Sequence, residues 1–365
     1  MKFISHSANF KNKSLTKSWY LCRSNYTMIQ SGLQRYINNF RGFRREVWIL
    51  ALITFINRAG TMVLPFLSKY LKEDLHLSYS QVGWIMVCFG FGSMLGSWLG
   101  GKLSDKIGFY KIMIFSLFTS GVLFFFLQYV TSFWALCISM FTIMVIADMF
   151  RPAMFVSLST YAKPENRTRA LTLVRLAVNL GFAAGPALGG LIILSQGYQA
   201  LFWVDGSTCI IAIVLFAVLV KEKKVPEDLI AKKQAESERE SVFKDTIFWI
   251  FLFVCFITAV LFFQLFTTLP LYHSEHFGLT EFQSGLILSF NGILIFFLEM
   301  PIVSYCQRKD ISKLSIVLWG CVLMAISFYI LLFNAWAGIL IVSLLFITFG
   351  EMFIFPFSNS FAMSR

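Results

Sequence analysis

The chain has 365 residues, of which 57% are hydrophobic and only 14% charged, against about 25% charged in soluble domains. With 42 phenylalanines this is a membrane protein's composition, and it excludes a soluble enzyme built around a large core. The net charge of +12 does not point to nucleic acid, because nine Lys/Arg and no acid are concentrated in residues 1–45 and the rest is spread over short loops. Seven scattered cysteines without a CxxC pair give neither a disulfide framework nor a zinc site, so no metal and no cofactor is expected.

In chain order, residues 1–45 form a basic tail with no continuous apolar core, which argues against a signal peptide. From Met28 onward Ile29, Leu33, Tyr36, Ile37 and Phe40 recur at helical spacing among Arg35, Arg41, Arg44 and Arg45, predicting an interfacial amphipathic helix ahead of the first span. Met1 and Met28 both fit as the start of the protein. Ten apolar runs follow, each near the roughly 20 residues that a bilayer core requires. They lie near 47–68, 81–101, 111–130, 133–157, 169–194, 200–220, 247–270, 283–304, 314–333 and 336–360.

Six spans occupy residues 46–220. Residues 221–245 carry seven Lys/Arg and seven Asp/Glu and read as a solvated linker, helical from Asp228 to Arg239. Four spans fill residues 246–365, an incomplete second half of a symmetric protein, so ten spans stand where twelve are expected. Lys and Arg cluster in the tail, 101–112, 158–170, 221–245 and 305–313, while the alternate loops hold only Lys69 and Lys72. That asymmetry places the N-terminus in the cytoplasm of a multi-pass protein of the cytoplasmic (inner) membrane.

An internal repeat supports two halves. "TMVLPFLSKYLKEDLHLSYSQVG" at span 1 and "TTLPLYHSEHFGLTEFQSG" at span 7 share a Leu-Pro, an aromatic and a polar loop reaching Gly83 or Gly285, with Pro65 and Pro270 205 residues apart. "ADMF" in span 4 and "GEMF" in span 10 place Asp148 and Glu351 203 residues apart, each followed by a proline, Pro152 or Pro356. Two matches at nearly one offset predict a parallel repeat.

Charged side chains inside spans are costly, about 2.5–3.5 kcal/mol each on insertion scales. By helical rise Arg58, Asp148, Asn179 and Glu351 lie about 14–16 Å deep and Arg151, Arg175 and Glu299 about 8–9 Å deep. Three bases face three acids, so one reading is mutual neutralisation, with Asp148 and Arg151 an i,i+3 pair on one helix face. The other is proton or substrate-charge handling in a cavity between lobes, where distance between acid and base sets proton affinity. Asn57, Asn179, Gln264 and Asn291 are candidate cavity polar groups. Asp205, near the end of span 6, reads as interfacial. His273 and His276 lack further local metal ligands. No Walker loop and no nucleophile–base pair is present.

The turn after span 2, "GGKLSDKIGFYK", resembles the signature loop of the major facilitator superfamily, with Gly101, Asp105, Lys106, Gly108 and Lys111 at the motif positions. It departs from the pattern at Phe109-Tyr110, where the family often has basic residues. "LAVNLGFAAGPALGG" in span 5 resembles the superfamily's antiporter motif through Gly181, Gly185, Pro186, Gly189 and Gly190, with Thr172 where its longer form has glycine. Arg151 stands where the family's multidrug-exporter branch often has an arginine implicated in proton movement, without the glycine that usually follows. The resemblance implies an all-α, two-lobed fold, no enzyme activity, and a loop that latches the lobes on the cytoplasmic side. It further implies a monomeric secondary transporter that moves a small molecule by alternating access, in proton-coupled efflux of a drug-like substrate. Proton-coupled uptake, facilitated diffusion of a metabolite, a transporter-like sensor and a membrane enzyme are the alternatives.

Overall fold

A computed structural model describes residues 42–163, 166–223, 225, 245–309, 311–333 and 336–362, without the side chains of residues 168, 307, 359, 360 and 362. The predicted interfacial helix over residues 28–41 and the linker helix from Asp228 to Arg239 lie outside the described residues. Among those described, every regular element is helical, and ten helical segments are long and apolar enough to cross a membrane. Seven are essentially single helices. Span 2 is Tyr79–Ile107, span 3 Phe109–Leu127, span 5 Arg167–Gln196, span 6 Gln199–Leu219, span 8 Glu281–Arg308 and span 10 Ile339–Ala362. Span 9, Lys313–Ile330, ends in a 3-10 turn, Leu331–Phe333.

Three spans are interrupted. Span 1 divides into Arg45–Ala59 and Val63–Glu73, and span 7 into Thr246–Thr267 and Leu269–Phe277. In both, the Leu-Pro falls in the first turn of the second segment, where proline gives up an N–H that no helical carbonyl would have accepted. Asp205 of span 6 settles the donors exposed by the first break: its carboxylate accepts the backbone N–H of Met62 at 2.9 Å and of Val63 at 3.1 Å. Asp205 is 2% exposed, so the interfacial reading is corrected. A carboxylate so far from water is stabilised by helix N-terminal amides.

Span 4 divides into Phe133–Asp148 and Phe150–Tyr161, with Met149 between them. The cause is Pro152, which cannot donate to the Asp148 carbonyl four residues earlier. Span 3 serves the carbonyls around the break: the Ser116 hydroxyl donates to Ile146 O at 2.6 Å and lies within 3.1 Å of Ala147 O.

The repeat extends into capping. Ser78 and Gln81 form a reciprocal capping box at the start of span 2. Thr280 and Gln283 form its counterpart ahead of span 8, with Thr280 N–H donating to Gln283 Oε1 at 2.9 Å and Gln283 N–H to Thr280 Oγ1 at 3.3 Å. Span 2 also runs past the predicted end at 101, carrying Gly101, Asp105 and Lys106 on its last turns. The chain reverses at Gly108 alone, whose φ of +98° is open to glycine without a Cβ penalty. The predicted gating loop is therefore largely helix, because polar side chains do not end a helix whose backbone bonds continue.

The core of the first half follows these contacts. One cluster, including Leu50, Met113, Tyr161 and Phe216, lies toward the end bearing Arg45, Lys106 and Arg167, hereafter the basic face. A second, including Phe66, Leu71, Ile85 and Phe202, lies toward the opposite face. Leu265, Leu288, Met324 and Ile347 centre the second half. The halves meet chiefly where span 5 lies along span 8.

Candidate functional site

The site begins at the break in span 4. Asp148 ends its first helical segment, and its carboxylate accepts a hydrogen bond from the Ser93 hydroxyl of span 2. Its other oxygen lies 3.6 Å from the Arg151 guanidinium, whose side chain is 52% exposed while that of Asp148 is 16% exposed. Arg58 of span 1 is within electrostatic range of both, and its guanidinium lies 5.7 Å from the centre of the Phe182 ring in span 5. Span 2 reaches the break because Gly92, Gly96 and Gly100 form a stripe against span 4. A Cβ on Gly100 would stand 2.6 Å from Met149 Cα, and one on Gly92 2.5 Å from Phe141 O. Small residues at period four let the backbones approach this closely. That spacing is plain in "GFGSMLGSWLGG" and was the available signal for Ser93, which the charge survey passed over.

The second cluster joins the halves. Arg175 of span 5 forms an ion pair with Glu299 of span 8, and Asn179 Nδ2 donates to the other Glu299 oxygen at 3.2 Å. Three predicted residues thus come together across the interface. Above them the small residues of span 5 serve two neighbours. Gly181, Gly185 and Gly189 face span 1, where a Cβ on Gly181 would come within 2.5 Å of Arg58 Cβ. Gly190 faces span 8, with Phe282 Cα 2.6 Å from its Cβ position. Pro186 leaves span 5 continuous, and the adjacent Ala187 N–H donates to Ser289 Oγ of span 8 at 3.1 Å.

Glu351 stands apart. It is 4% exposed, inside an unbroken span 10, and its carboxylate accepts from Asn291 Nδ2 at 3.4 Å, while the same amide donates to Thr348 Oγ1 at 2.9 Å. Asn57 turns to Cys209 within the first half, at 3.5 Å from its sulfur. Gln264 stays local, donating to Val260 O at 3.4 Å and accepting from Thr268 Oγ1.

The opposite face holds a network that the loop reading missed. Lys69 lies within the helix Val63–Glu73 and is 2% exposed. Its ammonium sits 2.8 Å from Glu281 across the halves and 3.8 Å from Glu73 in its own helix. Tyr198 donates to Glu281 at 3.0 Å, Ser274 to Glu73 at 3.1 Å, and Ser68 to Thr267 O at 2.7 Å; Tyr79 donates to Glu275. Burial, then Glu281 and Glu73, pushes the Tyr198 phenol far above its ordinary range. His273 is 3% exposed in the same network. A counted lysine in an apparent loop carries no sign of this burial; the partner acid is more than two hundred residues away.

The profile of the Major Facilitator Superfamily matches residues 50–365. The chain belongs to that superfamily. This is a family of transporters, not of enzymes. Within the superfamily the chain is 27% identical over 320 residues to the uncharacterized MFS-type transporter YqjV of Bacillus subtilis, covering 84% of this chain and 76% of that one. It is 26% identical over 181 residues to the quinolone resistance protein NorA of Staphylococcus aureus, covering 49% of this chain and 46% of that one. The NorA match, like that to YceJ of Bacillus subtilis at 29% identity over 167 residues, spans less than half the relative's length. Among solved structures, a POT family transporter in complex with 5-aminolevulinic acid superposes with a TM-score of 0.68 at 15% identity, covering 88% of this chain and 84% of that one. A D-xylose-proton symporter superposes at 0.66 and 13% identity, covering 84% and 79%. At these identities the structures establish the major facilitator fold alone.

Proposed function

We propose that the chain is a secondary active transporter that exports an amphipathic small molecule by alternating access, with protons as the coupling ion. The observation that carries this reading is an asymmetry along the interface between the halves. On the opposite face, a buried Lys69–Glu281 ion pair and its neighbours tie the halves together. Toward the basic face, Arg151 and Arg175 keep 52% and 41% of their side chains exposed. A path closed on one side and open to charged side chains on the other is one of the two states that alternating access requires. In this reading the basic face is cytoplasmic, by the Lys/Arg asymmetry, and Lys69 with Glu281 closes the outer gate.

Asp148 is the coupling group. Its carboxylate stands at a helix break, between a hydroxyl and two guanidinium groups, so a shift of the second segment of span 4 changes its surroundings and its affinity for a proton. Export is favoured over import by the antiporter-like stripe in span 5 and by the NorA relative. The test is transport by the purified chain in vesicles bearing an imposed proton gradient of either sign. Gradient-driven accumulation is expected to fall at least tenfold in Asp148→Asn and to persist within threefold in Glu351→Gln. Full gradient-driven transport by Asp148→Asn would remove protons from the role of coupling ion at this residue, and accumulation in the importing direction would reverse the assignment of export.

A further inference from the structure

The geometry points to an organic anion on an aromatic body, such as an aryl carboxylate, as the class of molecule held between Arg58, Arg151 and the Phe182 ring beside Arg58. This rests on the reading of the interface as a substrate path. Arg175 is committed to Glu299, which Asn179 also engages. Glu351 is enclosed by the second half, with Asn291 as its partner. That leaves Asp148 alone against two guanidinium groups. Asp148 already accepts from Ser93 and touches Arg151 only at 3.6 Å.

Arg58 makes no hydrogen bond and no ion pair among the described residues, and its guanidinium lies 5.7 Å from the centre of the Phe182 ring. It is only partly covered. A guanidinium at mid-span with unused donors is expensive in hydrocarbon and marks a site that receives charge. Two guanidinium groups present the planar forks that recognise carboxylates bidentately. Beside them a series of rings runs across the interface: Phe182 of span 5 lies 6.2 Å from Phe266 of span 7, and Phe266 lies 5.5 Å from Phe262. The first half therefore supplies a cationic pole with one unit of charge in excess and the partly covered Phe182 ring beside it, backed by the buried Phe266 of the second half. A lipophilic cation would meet that excess charge as repulsion.

The experiment compares three probes of one shape on the purified full chain: 2-naphthoate, 2-naphthylmethylammonium and 2-naphthalenemethanol, with binding read by calorimetry. Naphthoate is expected to bind at least tenfold more tightly than either of the others. Arg58→Gln and Arg151→Gln should each weaken naphthoate at least tenfold while leaving the neutral alcohol within threefold, and Arg151→Lys, which keeps the charge but loses the planar fork, should fall between the parent chain and Arg151→Gln. Melting temperature separates a lost site from a lost fold. Asp148→Asn, which leaves the two cations unopposed, should hold or tighten naphthoate. Equal or tighter binding of the ammonium, no binding of naphthoate, or naphthoate affinity unmoved in both glutamine variants would overturn the proposal. If naphthoate binds with the expected ranking yet is not moved in vesicles under a proton gradient, the site stands and the transport reading falls. If the ammonium is moved while naphthoate does not bind, the transport reading stands and this one falls.

Discussion

Spans 4 and 10 began as the two copies of one sequence feature, an acid in "ADMF" or "GEMF" followed by a proline. The structure separates them. Pro152 is four residues after Asp148, so the carbonyl that loses its donor is that of the acid itself, and span 4 breaks at Met149. Pro356 is five residues after Glu351, and span 10 runs unbroken from Ile339 to Ala362. The break leaves Asp148 at the end of a segment beside Ser93 and Arg151, while Glu351 stays in mid-helix with an amide for company. Two acids matched in sequence thus stand in different surroundings, one at a helix break and one in mid-helix.

The largest expected effect tests the cradle of that break. Gly100→Leu should abolish recovery of folded protein, because even a Cβ would stand 2.6 Å from Met149 Cα. Gly83→Leu on the same helix, with nothing within 4 Å of its Cβ position, should leave recovery unchanged. Size-exclusion profiles of the two variants provide the comparison. Next is the break itself. Pro152→Ala restores a donor to the Asp148 carbonyl and should cut transport at least fivefold with the protein still folded, whereas Pro356→Ala should change it less than twofold. Similar losses in both would mean that the break carries nothing special to span 4.

A smaller effect is expected at Ser116, whose hydroxyl serves the carbonyls around the break while itself fully buried. Ser116→Ala should lower stability by about 1–3 kcal/mol, the cost of leaving buried acceptors without a donor, read as a drop in melting temperature. The smallest concerns the opposite face, where Ser274 donates to Glu73 at 3.1 Å in an exposed pair. Ser274→Ala should change stability by less than about 0.5 kcal/mol, read as a smaller shift in melting temperature than that of Ser116→Ala.

Much of the fold was legible in the amino-acid string because membrane spans are written in composition. Ten apolar runs and the Leu-Pro repeat survive into the structure. The helix ends were less legible: span 2 continues through Gly101, Asp105 and Lys106 because backbone hydrogen bonding, not side-chain polarity, decides where a helix stops. Among the candidate residues, Asp148 with Arg151 was readable from i,i+3 spacing alone. Arg175 with Glu299 was not, since both were singled out but their pairing depends on how span 5 meets span 8. Lys69, counted as a loop charge, emerged as a buried tie to Glu281, and Asp205, taken as interfacial, emerged as the cap of the second segment of span 1.

What the sequence by itself determined is therefore the solvent of each segment and the symmetry of the plan, because hydrophobicity and repeats are local, one-dimensional quantities. What only the tertiary structure decided is which charges meet. Ion pairs such as Arg175–Glu299 and Lys69–Glu281 join residues on different halves. Their free energy depends on burial and on distances of a few ångströms, quantities that no spacing along the chain encodes.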